Sequence, residues 1–115
     1  MIRAAFFQRE GRFCTCIRGH AGFAPAGKDI VCAGASALAL TLASCLRREE
    51  GRGKLRLLSI QQEPGRLEIQ AAPTLSGLER ISALLEWAEE GFRLLARQYP
   101  EYVTLESELW STSRE

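Results

Sequence analysis

The single histidine of this 115-residue chain, His20, is followed twelve residues later by Cys32, with Asp29 three residues before the cysteine. An imidazole can take and return a proton near neutrality, and a cysteine attacks carbonyl carbon as its thiolate. Together they have the makings of acyl-transfer chemistry. Cys32 falls where a helix should begin, and a helix N-terminus beside an imidazole lowers a thiol pKa. The unbonded N–H groups of a first turn can also receive a tetrahedral oxyanion. Between base and nucleophile runs a loop with Gly22, Pro25 and Gly27, a segment able to admit a peptide and close over it.

Each of these residues also has an ordinary use. A cysteine in an alanine-rich helix suits a small buried hydrophobe, and a histidine after a strand suits a structural hydrogen bond. Asp29 can cap the helix or orient a protonated imidazole, and one oxygen can serve each purpose. Ser36 lies one turn beyond Cys32 on the same helix face, free to bond its own helix or to join the site. Lys28 and Phe23 read as exposed loop residues, with Phe23 able to line a peptide groove. Cys14, Cys16, His20 and Cys32 are zinc-ligand types, but the pattern C-x-C-x3-H-x11-C is not a usual structural zinc spacing. Cys14, Cys16 and Cys45 read as packing thiols.

The elements that must position this pair follow from periodicity and punctuation. Ile2 to Gln8 and Phe13 to Arg18 read as a hairpin about the turn Arg9-Glu10-Gly11-Arg12. Gly19 to Lys28 is loop, and Asp29 caps a helix running to about Arg48, with Arg47 and Arg48 suiting its negative end. A polar connection over Glu49 to Lys54 leads to strands Leu55 to Gln62 and Arg66 to Ala72, joined by Glu63-Pro64-Gly65. Pro73 stops the fourth strand. Ser76 with Glu79 has the capping-box spacing for a second helix reaching about Tyr99, before Pro100. Leu78, Ile81, Leu85, Ala88, Phe92, Leu95 and Tyr99 mark its apolar face; Leu84, Trp87 and Leu94 widen it, so Trp87 is expected to pack in the core. The tail from Tyr102 to Leu109 suits an edge strand or a partner subunit, and Trp110 an interface or loose tail. The expected fold is α+β, two layers in the order β-β-α-β-β-α, with a four-stranded sheet packed against two helices in a single domain over 1–115.

Composition bounds the rest. With 46% hydrophobic and 25% charged residues, the chain reads as an ordinary globular domain with one core. A formal net charge of +1 predicts no general attraction to nucleic acid or membrane. The charge is uneven: ten Lys/Arg stand against four Asp/Glu up to Arg56, and five against ten from Leu57 onward. No secretory signal is visible, because charged residues break the N-terminal apolar stretch. The apolar run Ile30 to Leu46 is short for a membrane span and rich in Ala, so it reads as a buried core helix. A cytoplasmic protein with reduced thiols is expected.

At the same residues the chain resembles a known family. Gly19-His20-Ala21, a short glycine-containing loop, then Gly27-x-Asp29-Ile30-Val31-Cys32-Ala33 and Ser36 are similar to the ribosomal-processing cysteine protease Prp. The close match covers about 18 residues; the element order and the length are similar across most of the chain. The resemblance implies a homodimeric enzyme that removes the N-terminal extension of large-subunit ribosomal protein twenty-seven, cutting after an extended hydrophobic segment. It implies His20 as base and Cys32 as nucleophile, with Gly19 permitting loop movement and Asp29 and Ser36 in support. The loop interior matches no family pattern; by its place between His20 and Cys32 alone, Gly22, Phe23 and Gly27 are expected to form a substrate loop, and neither metal nor organic cofactor is required. The competing class is a non-catalytic ribosome-associated module using the basic half, through Arg47, Arg48, Arg52, Lys54 and Arg56.

Overall fold

A computed structural model describes residues 1–109. The opening hairpin pairs β1 (Ile2–Arg9) with β2 (Arg12–Arg18), and Glu10 and Gly11 between them both take positive φ. Two such residues make the turn whose twist matches the strands it joins. α1 (Ile30–Gly51) follows the loop, and β3 (Leu55–Glu63) and β4 (Arg66–Pro73) form a second hairpin. α2 (Leu78–Gln98) leads into β5 (Val103–Ser107).

The sheet therefore has five strands where four were expected, in the order β3-β4-β2-β1-β5. The fifth is the tail, which pairs in parallel with β1, Ile2 opposite Val103. An α-helix crossover is what a parallel neighbour requires, and α2 supplies it. The tail takes the edge-strand role open to it.

Period-two alternation decides the faces. Ile2, Ala4 and Phe6 of β1, Phe13, Thr15 and Ile17 of β2, and Leu67, Ile69 and Ala71 of β4 are buried under the helices. Both helices close that one core: Val31, Ala35, Leu42 and Leu46 come from α1, and Ile81, Leu85, Ala88 and Phe92 from α2. Phe6 meets Phe92 with ring centroids 5.9 Å apart. The opposite sheet face carries Cys14 and Cys16.

Three local expectations change. α1 runs past Arg48 to Gly51 because Glu49 is buried there, paired with Arg80 at 2.6 Å and Arg52 at 2.8 Å. Burial opposes its charge, but the two guanidinium groups outweigh that and hold its carboxyl below the usual value. Ser76 does not cap α2; a 3-10 turn over Leu75–Gly77 precedes the helix, and the Ser76 hydroxyl faces Thr74 Oγ1. Trp87 lies outside the core, 53% exposed, since it falls beyond the stripe that Ile81, Leu85, Ala88 and Phe92 press onto the sheet. The run from Ile30 is indeed helical, and α1 is long and apolar enough to cross a membrane by composition, yet one face seals the core while Ile30 and Leu40 stay exposed. The expectation for Trp110 lies outside the described residues.

Candidate active site

Asp29 begins the site. Its backbone is extended, and its Oδ1 accepts the Cys32 N–H at 2.9 Å, which is the cap expected of it. The second oxygen faces the loop and accepts the N–H groups of Phe23 at 3.0 Å and Ala24 at 3.4 Å. The Cys32 N–H holds the Asp29 carboxyl below the usual carboxylate value; partial desolvation works the other way, and Phe23, Ala24 and the Cys32 thiol assist. Among the described residues no hydrogen bond joins Asp29 to His20.

Cys32 stands in the first turn of α1, half-buried, and its sulfur accepts the Ala21 N–H at 3.2 Å. Ala21 is itself 3% exposed, its methyl part of the core. The amide next to His20 thus points at the Cys32 sulfur. The first-turn amides expected to hold an oxyanion are partly committed: that of Cys32 to Asp29 Oδ1 and that of Ala33 to the Asp29 carbonyl.

His20 follows the end of β2 with its ring exposed. Gly19 before it has φ +96°, and a β-carbon there would strike the Met1 carbonyl oxygen. Its glycine is therefore required by a close backbone approach, whatever freedom it also lends. The Gly19 N–H donates to the Gly65 carbonyl at 2.8 Å, which ties the histidine turn to the β3–β4 turn. The imidazole makes no hydrogen bond to the Cys32 sulfur.

His20, Cys32 and Ser36 are common to two adjoining clefts. One, of about 280 Å³, lies between the α1 flank (Ala35, Ala39, Leu40) and the β3–β4 turn. The other, of about 570 Å³, lies beneath the loop, lined by Gly22, Ala24, Gly27, Lys28 and Ile30 among others. Ser36 is exposed on that shared wall. A peptide laid across Cys32 would have one cleft on either side of the sulfur. Phe23 lines neither; its ring stands edge-on to Tyr99 and Tyr102, at 5.7 and 5.3 Å, and fastens the loop to the end of α2.

Sequence reasoning missed the Ala21 amide and the β3–β4 turn. The first is backbone and leaves no residue-type signal; the second was legible as a turn, but its placement beside His20 depends on β2 pairing with β4.

The competing classes fit less well. No three His, Cys, Asp or Glu side chains converge among the described residues, and Cys14 and Cys16 face away from the helix layer that carries Cys32. Burial pushes the Cys14 thiol up, against the opposing pull of Arg9 and Arg12. Arg47 and Arg48 lie fifteen and sixteen residues along α1 from Cys32, about 22–24 Å at the helical rise, so these two arginines are remote from the thiol.

The family model described as cysteine protease Prp matches residues 1–104. The fold is similar to the ribosomal processing protease Prp from S. aureus in complex with a covalently linked product peptide (TM-score 0.76, 23% identity, 94% of this chain and 100% of that one). It is similar to the same protease with a substrate peptide (TM-score 0.67, 22% identity, 94% and 100%). SMU.848 from Streptococcus mutans is 30% identical with TM-score 0.69, over 95% of both chains. No curated protein matches.

Proposed function

The chain belongs to the Prp family of cysteine proteases, and from that premise we propose that it is the endopeptidase that removes the N-terminal extension of large-subunit ribosomal protein twenty-seven. The observation that carries this is the placement of Cys32 in the first turn of α1, on a wall it shares with the only imidazole in the chain. The similar S. aureus protease, described as ribosomal processing and holding a covalently linked product peptide, supports both the reaction and the substrate class. The enzyme acts in the cytoplasm, where that precursor is made, and as a homodimer.

His20 takes the Cys32 proton, and the sulfur attacks the scissile carbonyl carbon. The oxyanion is received by the Ala21 N–H, which already points at the sulfur and is freed for oxygen as the carbonyl arrives. Collapse breaks the C–N bond, and the imidazolium gives its proton to the leaving amine. Neutral His20 then activates water, which hydrolyses the thioester and regenerates the thiol. Asp29 acts here through the helix and the loop, by its bonds to Cys32, Phe23 and Ala24.

The test is cleavage of a peptide spanning the extension junction of the host's ribosomal protein. Cys32→Ala and His20→Ala should each abolish cleavage with the fold intact, and iodoacetamide should label Cys32 well before Cys14. Cleavage by Cys32→Ala, or equal labelling of all four cysteines, overturns the assignment. Sedimentation as a monomer at micromolar concentration overturns the dimer.

A further inference from the structure

The β3–β4 turn is the part of the site that this chemistry leaves unused. Gly65 takes φ +73° there, and its carbonyl accepts the Gly19 N–H at 2.8 Å. The strands carrying the two turns are paired up to that point, Arg18 opposite Arg66. The open side of Gly65 faces the imidazole. A β-carbon at this position would stand 2.7 Å from His20 Nε2, 3.3 Å from Cε1 and 3.4 Å from Cδ2. Non-bonded heavy atoms in good contact are ~3.5–4.0 Å apart, so the ring already occupies the space a methyl would need. Among the described residues no hydrogen bond holds the imidazole, which leaves this wall as its fixed neighbour.

We propose that Gly65 is a positioning residue for His20, the bare backbone against which the imidazole is set. The role rests on His20 being the base of the reaction above. The ring is exposed and hangs on two rotatable bonds, so a methyl at Gly65 moves the ring, by about 1 Å, before it moves the backbone. The fold itself loses only what any L-residue loses at such a φ. Gly53 provides the matched control: its φ is +76°, and nothing lies within 4 Å of a β-carbon built there.

The experiment compares Gly65→Ala with Gly53→Ala in thermal unfolding, in kcat and KM on the junction peptide, and in the imidazole resonances. Those resonances are unambiguous because His20 is the only histidine. Both variants should lose similar stability. Only Gly65→Ala should shift the imidazole resonances, and only it should lose kcat, by about 10- to 100-fold for a ~1 Å misplacement, with KM little changed. If its resonances and kcat match those of Gly53→Ala, the turn is scaffold alone and the proposal is overturned. If Gly65→Ala does not fold, the double variant His20→Ala/Gly65→Ala decides: with the ring gone the methyl has room, and stability should return to that of Gly53→Ala. In that case a double variant that also fails to fold overturns the contact. The resonances and the double variant are read without any cleavage, so a chain that cuts no peptide would fail the function above and leave this contact standing.

Discussion

Replacing Phe23 with alanine should release the segment between His20 and Cys32 while leaving the sheet in place. The ring meets Tyr99 at 5.7 Å and 78°, and Tyr102 at 5.3 Å and 80°, both edge contacts. Phe23 remains 39% exposed, so roughly three-fifths of it is removed from water. Complete burial of a phenylalanine is worth about 1.5–3 kcal/mol, which scales here to about 1–2 kcal/mol. That figure counts area alone; edge-to-face ring pairs add up to about 0.5–1.5 kcal/mol beyond it, so it sets the least effect expected. At a factor of ten per ~1.4 kcal/mol, the opening equilibrium should rise by at least about 5- to 30-fold. The assay is native-state hydrogen exchange at positions 23 and 24, whose amides Asp29 Oδ2 accepts. They should exchange faster by that factor, and the rate should not respond to low urea, the mark of a local opening. Unchanged exchange, or acceleration that appears only with urea-sensitive global unfolding, refutes Phe23 as the anchor.

Asp29 carries a pH prediction: its carboxyl is held below the ordinary value chiefly by the Cys32 N–H, so its stabilisation is complete above the unfolded value of about 3.9 and is lost as pH falls through the folded one. The stability gap between wild type and Asp29→Asn, from urea melts, should be flat from about pH 5 to 8 and shrink on acidification below about pH 4; a gap that widens in acid contradicts the assignment. Gly19→Ala should cost more than the ~1–2 kcal/mol of left-handed strain, because its β-carbon meets a backbone carbonyl that cannot swing away, whereas Gly22→Ala, in open space, should cost no more than that strain. Equal melting midpoints for the two would remove the backbone clash as the reason for glycine at 19. Phe92→Ala should lose about 3–5 kcal/mol, and the exposed Trp87→Ala no more than about 0.5 kcal/mol; comparable losses would mean that α2 lies on a different face.

Strands β1 to β4 and both helices were legible because alternation and a 3.6-residue period survive where one face is buried. What was not legible is tertiary in origin. Trp87 fits the widened apolar stripe by spacing, but the sheet is reached by the narrower stripe centred on Leu85 and Phe92. Glu49 extends α1 only because Arg80, thirty-one residues later, comes to meet it. At the site, His20, Asp29 and Cys32 could be singled out from type and spacing, and the cap on α1 followed from local chemistry. The partner of the Cys32 sulfur is an amide, and the neighbour of the His20 ring is a glycine; neither kind of group announces itself in a sequence.

The loop from Gly19 to Lys28 behaves as two parts. Ala21 belongs to the core by its methyl and to the Cys32 sulfur by its amide, so it cannot travel without uncovering both. Beyond it, Gly22 at φ +69° and Gly27 at φ +85° stand in open space and bracket the segment that Asp29 Oδ2 holds. Proline at either glycine would force φ to about −65° and break the resting backbone outright, so alanine is the informative substitution there. Releasing the segment requires loss of the Phe23 ring contacts and of the two amide bonds to Asp29 Oδ2. It does not require loss of the bond from the Cys32 N–H, which falls on Oδ1. One carboxylate therefore holds the first turn of α1 with one oxygen and the loop with the other. Loss of the loop's bonds to Oδ2 would leave the Cys32 cap and the Ala21 contact with the sulfur in place.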